Sequence, residues 1–426
     1  MKKVNKVYLC DNCGNDFTQW SGRCTVCGEW NSLKEITVPE GSSNSKNVKD
    51  VEVSNLSDIS VGKNERMKTG IGEFDRVLGG GVVPGSLILV GGEPGIGKST
   101  LLLQICDTIK NCFYVSAEES LGQIKGRADR LKINPSGLKL IADGDLLSIE
   151  KEILKNKPNL VIIDSIQTVY LFEYPSTPGS MVQVRECGMF LQRLAKRTGI
   201  SIVIVGHVTK EGSLAGPRTL EHLVDAVLYL EGERFHDARI LRGVKNRYGA
   251  TNEVGIFSIQ EKGLIEIINP SELFLAETGS AAGSVVTATV EGTRPILVEV
   301  QALVIPTHFG FPKRTSSGFD LNRLNLLSAV ISKKTSVNLG NYDIYINIVG
   351  GMKLSEPAVD LAICAAVISS YKNKPLPKNL CFFGEVGLSG EVRKVVRQSE
   401  REKEATSLGY KMVESFNNIN ELIGLF

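Results

Sequence analysis

The stretch that decides the fold reads Gly92-Glu93-Pro94-Gly95-Ile96-Gly97-Lys98-Ser99-Thr100. An apolar run from Leu87 to Val90 precedes it, and apolar residues at helical spacing follow it as far as Ile109. The stretch contains the phosphate-loop pattern G-x-x-x-x-G-K-[ST] between a predicted strand and a predicted helix. In that context the loop amides and the helix N-terminus face a phosphate. We therefore predict that these nine residues bind ATP, with Lys98 on its β- and γ-phosphates and Ser99 on Mg²⁺. The alternative is a glycine-rich turn with a chance lysine.

Length and composition limit the number of domains and the class of protein. A chain of 426 residues suggests two or three domains, and its net charge of +2 provides no general attraction for nucleic acid. The sequence has neither an apolar run of membrane-spanning length nor an apolar signal core, so we predict a cytoplasmic protein without a membrane partner. Five scattered cysteines are predicted to be buried free thiols rather than a disulfide framework. They are Cys106, Cys112, Cys187, Cys364 and Cys381.

The N-terminus carries two C-x-x-C pairs, Cys10 with Cys13 and Cys24 with Cys27. This spacing places four thiolates around one tetrahedral ion, so we predict a four-cysteine zinc finger over residues 1–33 that holds structural Zn²⁺. A pair of redox dithiols or an iron site are the alternatives. The polar segment that follows, residues 34–60, is predicted to be a flexible linker with at most one short strand at its end.

From residue 61 to residue 270 apolar strand-like runs alternate with helical patterns. Nearly continuous apolar strands separated by helices predict a parallel sheet covered on both faces. In such sheets the functional groups collect at the carboxyl ends of the strands. The predicted fold class is therefore α/β, with the phosphate loop at one of those strand ends.

Three acidic residues follow predicted strands of this sheet. Asp164 ends the run that starts at Asn159 and is predicted to orient Mg²⁺ as a Walker B acid; a surface aspartate is the alternative. Glu118 follows another strand and could polarise the attacking water, or it could stabilise the next helix N-terminus. Glu119 is the adjacent candidate for the same catalytic role. His207 also ends a strand, where it could contact the γ-phosphate or simply be solvated.

Two cations follow a late strand in the pentapeptide Lys245-Asn-Arg-Tyr-Gly. Lys245 and Arg247 are two residues apart, so their side chains point to the same side of an extended chain. From the residues alone they could be functional or merely an exposed basic strand end.

Two predicted loops could contact DNA. Residues 170–185 and 209–219 are Gly/Pro/Ser-containing connections that carry Lys210 and Arg218, with Arg185 just inside the next predicted helix. Such cations would bind phosphates without regard to sequence. A solvated loop is the alternative reading.

These motifs together resemble the bacterial RadA (Sms) family. The resemblance rests on the four-cysteine finger, the phosphate loop, Ser-Ala-Glu-Glu-Ser at 116–120, Gly-His-Val-Thr-Lys-Glu-Gly at 206–212 and Lys-Asn-Arg-Tyr-Gly at 245–249. Only Tyr248 departs from the family pentapeptide, which usually has Phe there. The resemblance implies a RecA-like P-loop ATPase core with a parallel twisted sheet, between the zinc module and a C-terminal Lon protease-like domain.

The resemblance also implies an activity and partners. The family forms hexameric rings, binds single-stranded and branched DNA, and drives branch migration of recombination intermediates with the RecA recombinase. By the same resemblance, Lys245 and Arg247 act at subunit interfaces, where they reach the neighbour's nucleotide or couple it to DNA.

The C-terminal region, residues 271–426, reads as α+β and resembles the Lon protease domain of the family. Lon proteases use a Ser–Lys pair, but Ala358 stands at the serine position and Ser399 stands near the lysine position. Ser355 is close but off register. Because alanine has no nucleophile, we predict a proteolytically inactive domain. Several cations could make it a DNA-facing or oligomer-facing platform, or only a solvated face: Lys313, Arg314, Arg323, Lys333 and Lys334.

The leading hypothesis is a DNA-dependent ATPase of homologous recombination and DNA repair, a helicase-like translocase rather than a protease. A nucleotide-switched scaffold of the circadian-clock ATPase type is the second hypothesis, and the finger and the third domain disfavour it. An ATP-dependent protease is the third hypothesis, and Ala358 disfavours it.

Overall fold

The structure is a computed structural model that describes residues 4–10, 15–39, 66–207, 220–232, 238–251, 253–275, 281–307, 310–412 and 416–426. The chain divides into two compact units. Unit 1 comprises Met1–Glu231, Arg239–Thr251 and Phe257–Glu266, and unit 2 comprises the remainder. Within the described ranges no helix is both long and apolar enough to span a bilayer. Cys13, Lys210, Arg218 and residues 40–60 of the predicted linker lie outside the described residues.

The N-terminal segment forms a small antiparallel sheet in the order β2-β1-β3. Its strands are β1 (Val4–Cys10), β2 (Asp16–Phe17) and β3 (Leu33–Pro39). β3 pairs with β1 along its whole length, from Cys10 opposite Leu33 to Val4 opposite Pro39. Backbone pairing thus continues to residue 39, beyond the predicted finger boundary at residue 33, through Ile36, Thr37 and Val38, whose β-branched side chains favour strands.

Unit 1 is built on a nine-stranded sheet with the order β12-β11-β10-β9-β4-β8-β7-β5-β6. Its strands are β4 (Leu87–Gly92), β5 (Cys112–Val115), β6 (Leu138–Ile141), β7 (Leu160–Ile163), β8 (Ser201–His207), β9 (Ala226–Glu231), β10 (Ala238–Asn246), β11 (Val254–Gln260) and β12 (Gly263–Glu266). β9, β4, β8, β7, β5 and β6 run parallel, which confirms the predicted α/β class.

The late strands add antiparallel pairs to this parallel sheet. β10 runs antiparallel to β9, and β12 runs antiparallel to β11. The connection from Glu231 to Ala238 is too short for a crossover helix, and a parallel neighbour needs a crossover of a dozen or more residues. A direct return therefore produces an antiparallel edge.

Both faces of the sheet are covered, as predicted. The helices of this unit are α1 (Gly72–Val77), α2 (Lys98–Thr108), α3 (Leu121–Arg130), α4 (Leu146–Asn156) and α5 (Met181–Thr198). Ile88 and Val90 of β4 face a core with residues of α1, α2 and α3, while Leu87 and Leu89 face a second core with residues of α4 and α5. The five scattered cysteines are buried and free, which confirms that prediction.

Unit 2 contains a six-stranded sheet in the order β15-β16-β14-β13-β17-β20, with a separate two-stranded sheet of β18 and β19. The strands are β13 (Ser284–Glu291), β14 (Arg294–Pro306), β15 (Arg314–Ser317), β16 (Tyr342–Ile348), β17 (Leu380–Cys381), β18 (Glu385–Val386), β19 (Val392–Arg393) and β20 (Lys411–Met412). The helices are α6 (Pro270–Phe274), α7 (Leu321–Lys334), α8 (Asp360–Lys372) and α9 (Gln398–Ser407). This unit is α+β, as predicted, and its likeness to the Lon protease domain stays a prediction.

Candidate nucleotide-binding site

The phosphate loop joins β4 to α2, and its glycines adopt backbone angles that other residues avoid. Gly92, Gly95 and Gly97 have φ angles of 148°, 78° and 117°. A Cβ atom on Gly92 would lie 2.5 Å from the carbonyl oxygen of Leu230 on the neighbouring strand β9. The glycine at that position is therefore required for close strand packing as well as for its φ angle. A Cβ on Gly95 would meet nothing within 4 Å, so the loop faces open space there.

That open space is a pocket of about 330 Å³ at the carboxyl ends of the parallel strands. Its wall consists of Pro94, Gly95, Gly97, Lys98, Ser99, Thr100, Ser116, Glu118, Glu119, Arg127, Arg130 and Asp164. The predicted loop residues, Glu118 and Asp164 thus come together in one site. Three predicted loop residues lie behind this wall: Gly92 and Glu93 provide carbonyls to Lys98, and the Ile96 side chain is buried in the core of unit 1.

Lys98 is the buried cation of the pocket. Its Nζ donates hydrogen bonds to the carbonyl oxygens of Gly92 at 2.8 Å and Glu93 at 2.9 Å. Burial lowers the pKa of Lys98 to about 8, although the negative charges of Asp164 and Glu118 oppose this shift. The loop backbone therefore holds the ammonium in place, and the carboxylates of Asp164 and Glu118 lie near enough to interact with it.

The lowered pKa of Lys98 predicts a pH dependence of nucleotide binding. As pH rises through about 8, the free protein loses the proton from Lys98 before an ordinary lysine would lose it. Phosphate binding needs the charged form, so the affinity for a non-hydrolysable ATP analogue should fall about tenfold per pH unit well above that pKa. Calorimetric titration between about pH 7 and about pH 9.5 should also show proton uptake on binding. Weak residual binding by Lys98→Gln should be flat across this range, and a flat wild-type profile would contradict the prediction.

Asp164 follows β7 and is almost fully buried. The hydroxyl of Tyr114, on the adjacent strand β5, donates a hydrogen bond to its Oδ2. Burial, followed by the charge of Asp164, raises the pKa of Tyr114 well above its usual range, so the phenol keeps its proton. Sequence reasoning missed Tyr114, because a tyrosine inside an apolar strand carries no motif. Asp164 and the Ser99 hydroxyl are oxygen donors of the kind that Mg²⁺ prefers, and they share one pocket.

The two adjacent glutamates have different surroundings. Glu118 has an exposed side chain and lies near enough to Lys98 to affect the pKa of that lysine. Glu119 forms an ion pair with Arg127 of α3, and its backbone N–H donates to Ser116 Oγ at 3.3 Å. Both glutamates line the pocket, but Glu119 is held by Arg127, whereas Glu118 lies near Lys98. Arg127 and Arg130 were also missed, although their spacing of three residues on a predicted helix places them on one face.

Lys245 and Arg247 are not part of the described pocket wall. Lys245 Nζ donates to the carbonyl oxygen of Glu221 at 2.5 Å, and Arg247 Nη1 lies 3.2 Å from Oδ1 of the buried Asp225. Both cations also approach the carbonyl oxygen of His222, at 3.4 Å in each case. They therefore lie on the same side of the chain, as predicted, and Arg247 remains partly exposed, with 44% of its side-chain area accessible.

Tyr248, the departure from the family pentapeptide, has a polar partner. Burial, followed by the charge of Asp225 and a hydrogen bond to it, raises the pKa of Tyr248. A phenylalanine at this position could not make that hydrogen bond.

The predicted zinc ligands are described at three of four positions. The Sγ atoms of Cys10, Cys24 and Cys27 all lie within 4.8 Å of one another, and those of Cys10 and Cys27 are 3.7 Å apart. Thiolates at zinc–sulfur distances of about 2.3 Å in a tetrahedron are separated by roughly 3.8 Å, so this spacing fits Zn²⁺. The fourth predicted ligand, Cys13, lies outside the described residues.

The two predicted protease positions in unit 2 are Ala358 and Ser399. Ala358 is buried in a short 3₁₀ turn, Pro357–Val359, that directly precedes α8. Next to that turn, Glu356 forms an ion pair with the buried Arg401. Ser399 is exposed and donates to the neighbouring Glu400 at 2.9 Å.

Two of the five cations in the predicted basic platform of unit 2 bind groups within the protein. Arg323 forms an ion pair with the fully buried Asp360, and Arg314 donates to backbone carbonyls, including that of Leu339 at 3.0 Å. Among the five predicted platform cations, Lys333 and Lys334 at the end of α7 combine exposure with proximity in sequence.

Comparison with known proteins supports this reading of the two modules. Residues 65–213 match the family described as AAA domain, which gives the chain an ATPase domain, and residues 8–35 match the family described as rubredoxin metal binding domain. A KaiC-like protein, PH0186 from Pyrococcus horikoshii OT3, aligns with 47% of this chain and 98% of that chain at 18% identity and a TM-score of 0.40.

The near-full-length relatives bear one name. DNA repair protein RadA of Bacillus subtilis is 51% identical over 422 residues, which cover 96% of this chain and 92% of that protein. The protein of the same name from Listeria monocytogenes is 50% identical over 420 residues, covering 97% and 92%. At this identity and coverage, the chain belongs to the DNA repair protein RadA family.

Proposed function

We propose that this chain is a DNA-dependent ATPase of homologous recombination and DNA repair, a hexameric motor on single-stranded DNA that promotes branch migration with RecA in the cytoplasm. One observation carries the ATPase part of the proposal: Lys98, Glu118 and Asp164 line one open pocket at the carboxyl ends of the parallel strands. A buried cation for phosphate, an exposed acid for water and an acid for a metal ion are the groups that phosphoryl transfer to water requires. The names of the relatives support DNA repair as the process.

The proposed cofactors belong to two sites, the nucleotide pocket and the cysteine cluster. The backbone of Gly95 to Thr100 and the ammonium of Lys98 would hold the phosphates of ATP, and Ser99 with Asp164 would hold Mg²⁺. A bound Mg²⁺ supplies charge neutralisation of the phosphates during transfer. Zn²⁺ would be held by Cys10, Cys24 and Cys27 together with Cys13, as a closed structural site with no catalytic position.

Ring assembly is supported by the placement of Lys245 and Arg247. Both lie outside the described wall of their own pocket, while Arg247 keeps an exposed part of its guanidinium. We propose that they act on the nucleotide of a neighbouring subunit, where a cation stabilises the charge that develops during phosphoryl transfer. Such an arrangement would allow hydrolysis in one subunit to move the next.

A protease role is not proposed. The side chain at the predicted nucleophile position, Ala358, is a buried methyl group, and Arg401 with Glu356 forms an ion pair beside its turn. The methyl group of Ala358 has no nucleophilic atom and cannot attack a carbonyl carbon as a serine would.

The proposal predicts that DNA stimulates ATP hydrolysis. With the full chain, single-stranded DNA should raise the rate of phosphate release several-fold, and branched DNA should do so at least as well as duplex DNA. Because DNA phosphates would be bound by cations, the DNA concentration needed for half-maximal stimulation should rise steeply between about 50 and 200 mM salt. ATP turnover that no DNA changes, in a preparation shown to form rings, would overturn the DNA-dependent part of the proposal.

A further inference from the structure

An arginine that no motif predicted lies in the wall of the nucleotide pocket. Arg127 stands on α3, and its Nη2 donates to Oε1 of Glu119. Its Nη1 is buried and makes no hydrogen bond in the described structure, and the same is true of Oε2 of Glu119. A guanidinium and a carboxylate can join through two parallel hydrogen bonds, but this pair uses one. One buried donor of the arginine therefore remains available to an acceptor.

The surroundings keep Arg127 charged and near Asp164, the predicted Mg²⁺ ligand. Burial lowers its pKa, but Glu119, Tyr114 and Asp164 more than compensate, so the pKa of Arg127 is raised. Its side chain is 21% exposed and that of Glu119 is 29% exposed, so neither is sealed in the protein interior. Glu118 and Asp164 line the same wall.

We propose that Arg127 is a phosphate-binding residue that exchanges its Glu119 partner for the terminal phosphate of ATP. This inference rests on the proposed ATPase function. A terminal phosphate carries more negative charge than a carboxylate and can accept both Nη groups, so it competes effectively for a guanidinium that Glu119 holds by one bond. ADP lacks that phosphate and leaves the Arg127–Glu119 pair in place. Arg127 thus makes the pocket distinguish ATP from ADP.

The competing explanation is that the pair only fastens the turn between β5 and α3. The two explanations predict different changes in ATP affinity when Glu119 is removed. If Glu119 competes with ATP for Arg127, removing the glutamate should tighten ATP binding, whereas removing the arginine should weaken it. If the pair only holds the turn in place, removal of either residue should weaken the binding of ATP and of ADP to the same extent, or leave both unaltered.

The test is equilibrium titration of the full chain with fluorescent forms of ADP and of a non-hydrolysable ATP analogue, both with Mg²⁺. Arg127→Ala should weaken analogue binding about tenfold or more, the scale of a lost charge-assisted hydrogen bond, and change ADP binding less than about threefold. Glu119→Ala should tighten analogue binding a few-fold. Lys125→Ala is the matched control, since Lys125 lies on the same helix and pairs with Asp129 on its exposed surface.

The outcomes separate this inference from the proposed function. Arg127→Ala with unchanged preference for the analogue over ADP would overturn the role of Arg127, provided that the wild-type chain binds both nucleotides. Equal weakening of both nucleotides by Arg127→Ala and Glu119→Ala would also overturn it. Failure of the wild-type chain and of Lys125→Ala to bind either nucleotide would instead overturn the proposed function. If Arg127→Ala does not fold, Arg127→Lys serves, because it keeps the charge and loses the forked donor geometry.

Discussion

Replacement of Lys98 by alanine is expected to lower ATP turnover by at least about 100-fold, because it removes the cation aimed at the transferred phosphate. In the structure that ammonium is buried and rests on the carbonyl oxygens of Gly92 and Glu93. Among the described residues of the pocket wall, Lys98 is the only cation that belongs to the phosphate loop. Phosphate release under saturating ATP measures the effect.

The control for Lys98→Ala is Lys151→Ala on the exposed side of α4. It should keep wild-type turnover. The fold of Lys98→Ala should survive, because the variant also removes a buried charge whose burial is unfavourable. Thermal unfolding within a few degrees of wild type would show this. Retention of more than about a tenth of wild-type turnover by a folded Lys98→Ala chain would contradict the assignment of this pocket as the hydrolytic site.

Replacement of Glu118 by glutamine is expected to lower kcat about 100-fold or more with little change in KM for ATP. A glutamine keeps the size of the side chain but cannot take a proton from water, and general-base catalysis contributes about 10² to 10⁴ in rate. Glu118 faces the pocket near Lys98, whereas Glu119 is held by Arg127. Glu119→Gln should therefore lower kcat by less than about tenfold.

The pair of variants tests the assignment in both directions. Steady-state ATP hydrolysis by Glu118→Gln, Glu119→Gln and wild type, measured over a range of ATP concentrations, separates kcat from KM. Because the Glu118 side chain is exposed, its replacement should leave the unfolding temperature nearly unchanged. A larger loss of kcat in Glu119→Gln than in Glu118→Gln would show that Glu119 is the base.

Local patterns in the sequence were sufficient to predict several features. The strand, loop and helix around Lys98 were predicted because residues adjacent in sequence carry the whole signal, namely apolar runs and glycines at fixed spacing. The covered parallel sheet followed from apolar strands that alternate with helices. Asp164 and Glu118 were found because both follow such strands, and parallel strands bring their carboxyl ends to one edge.

Other features depended on pairings that no local pattern records. The antiparallel edge at β10 follows from a connection too short for a helix, and β3 joins its sheet through backbone bonds to a strand more than twenty residues earlier in the chain. The likeness of unit 2 to the Lon protease domain, the ring and the DNA partner stay predictions.

The sequence by itself determined the fold class, the phosphate loop, the finger with its four thiols and the membership of the RadA family. Those features depend on residue types at short, fixed separations. Only the tertiary structure decided that Tyr114 donates to Asp164, that Arg127 holds Glu119 while Glu118 lies near Lys98, and that Lys245 and Arg247 lie outside their own pocket wall. Each of these depends on distances between separate strands and helices, which packing of the two cores sets and a linear pattern does not encode.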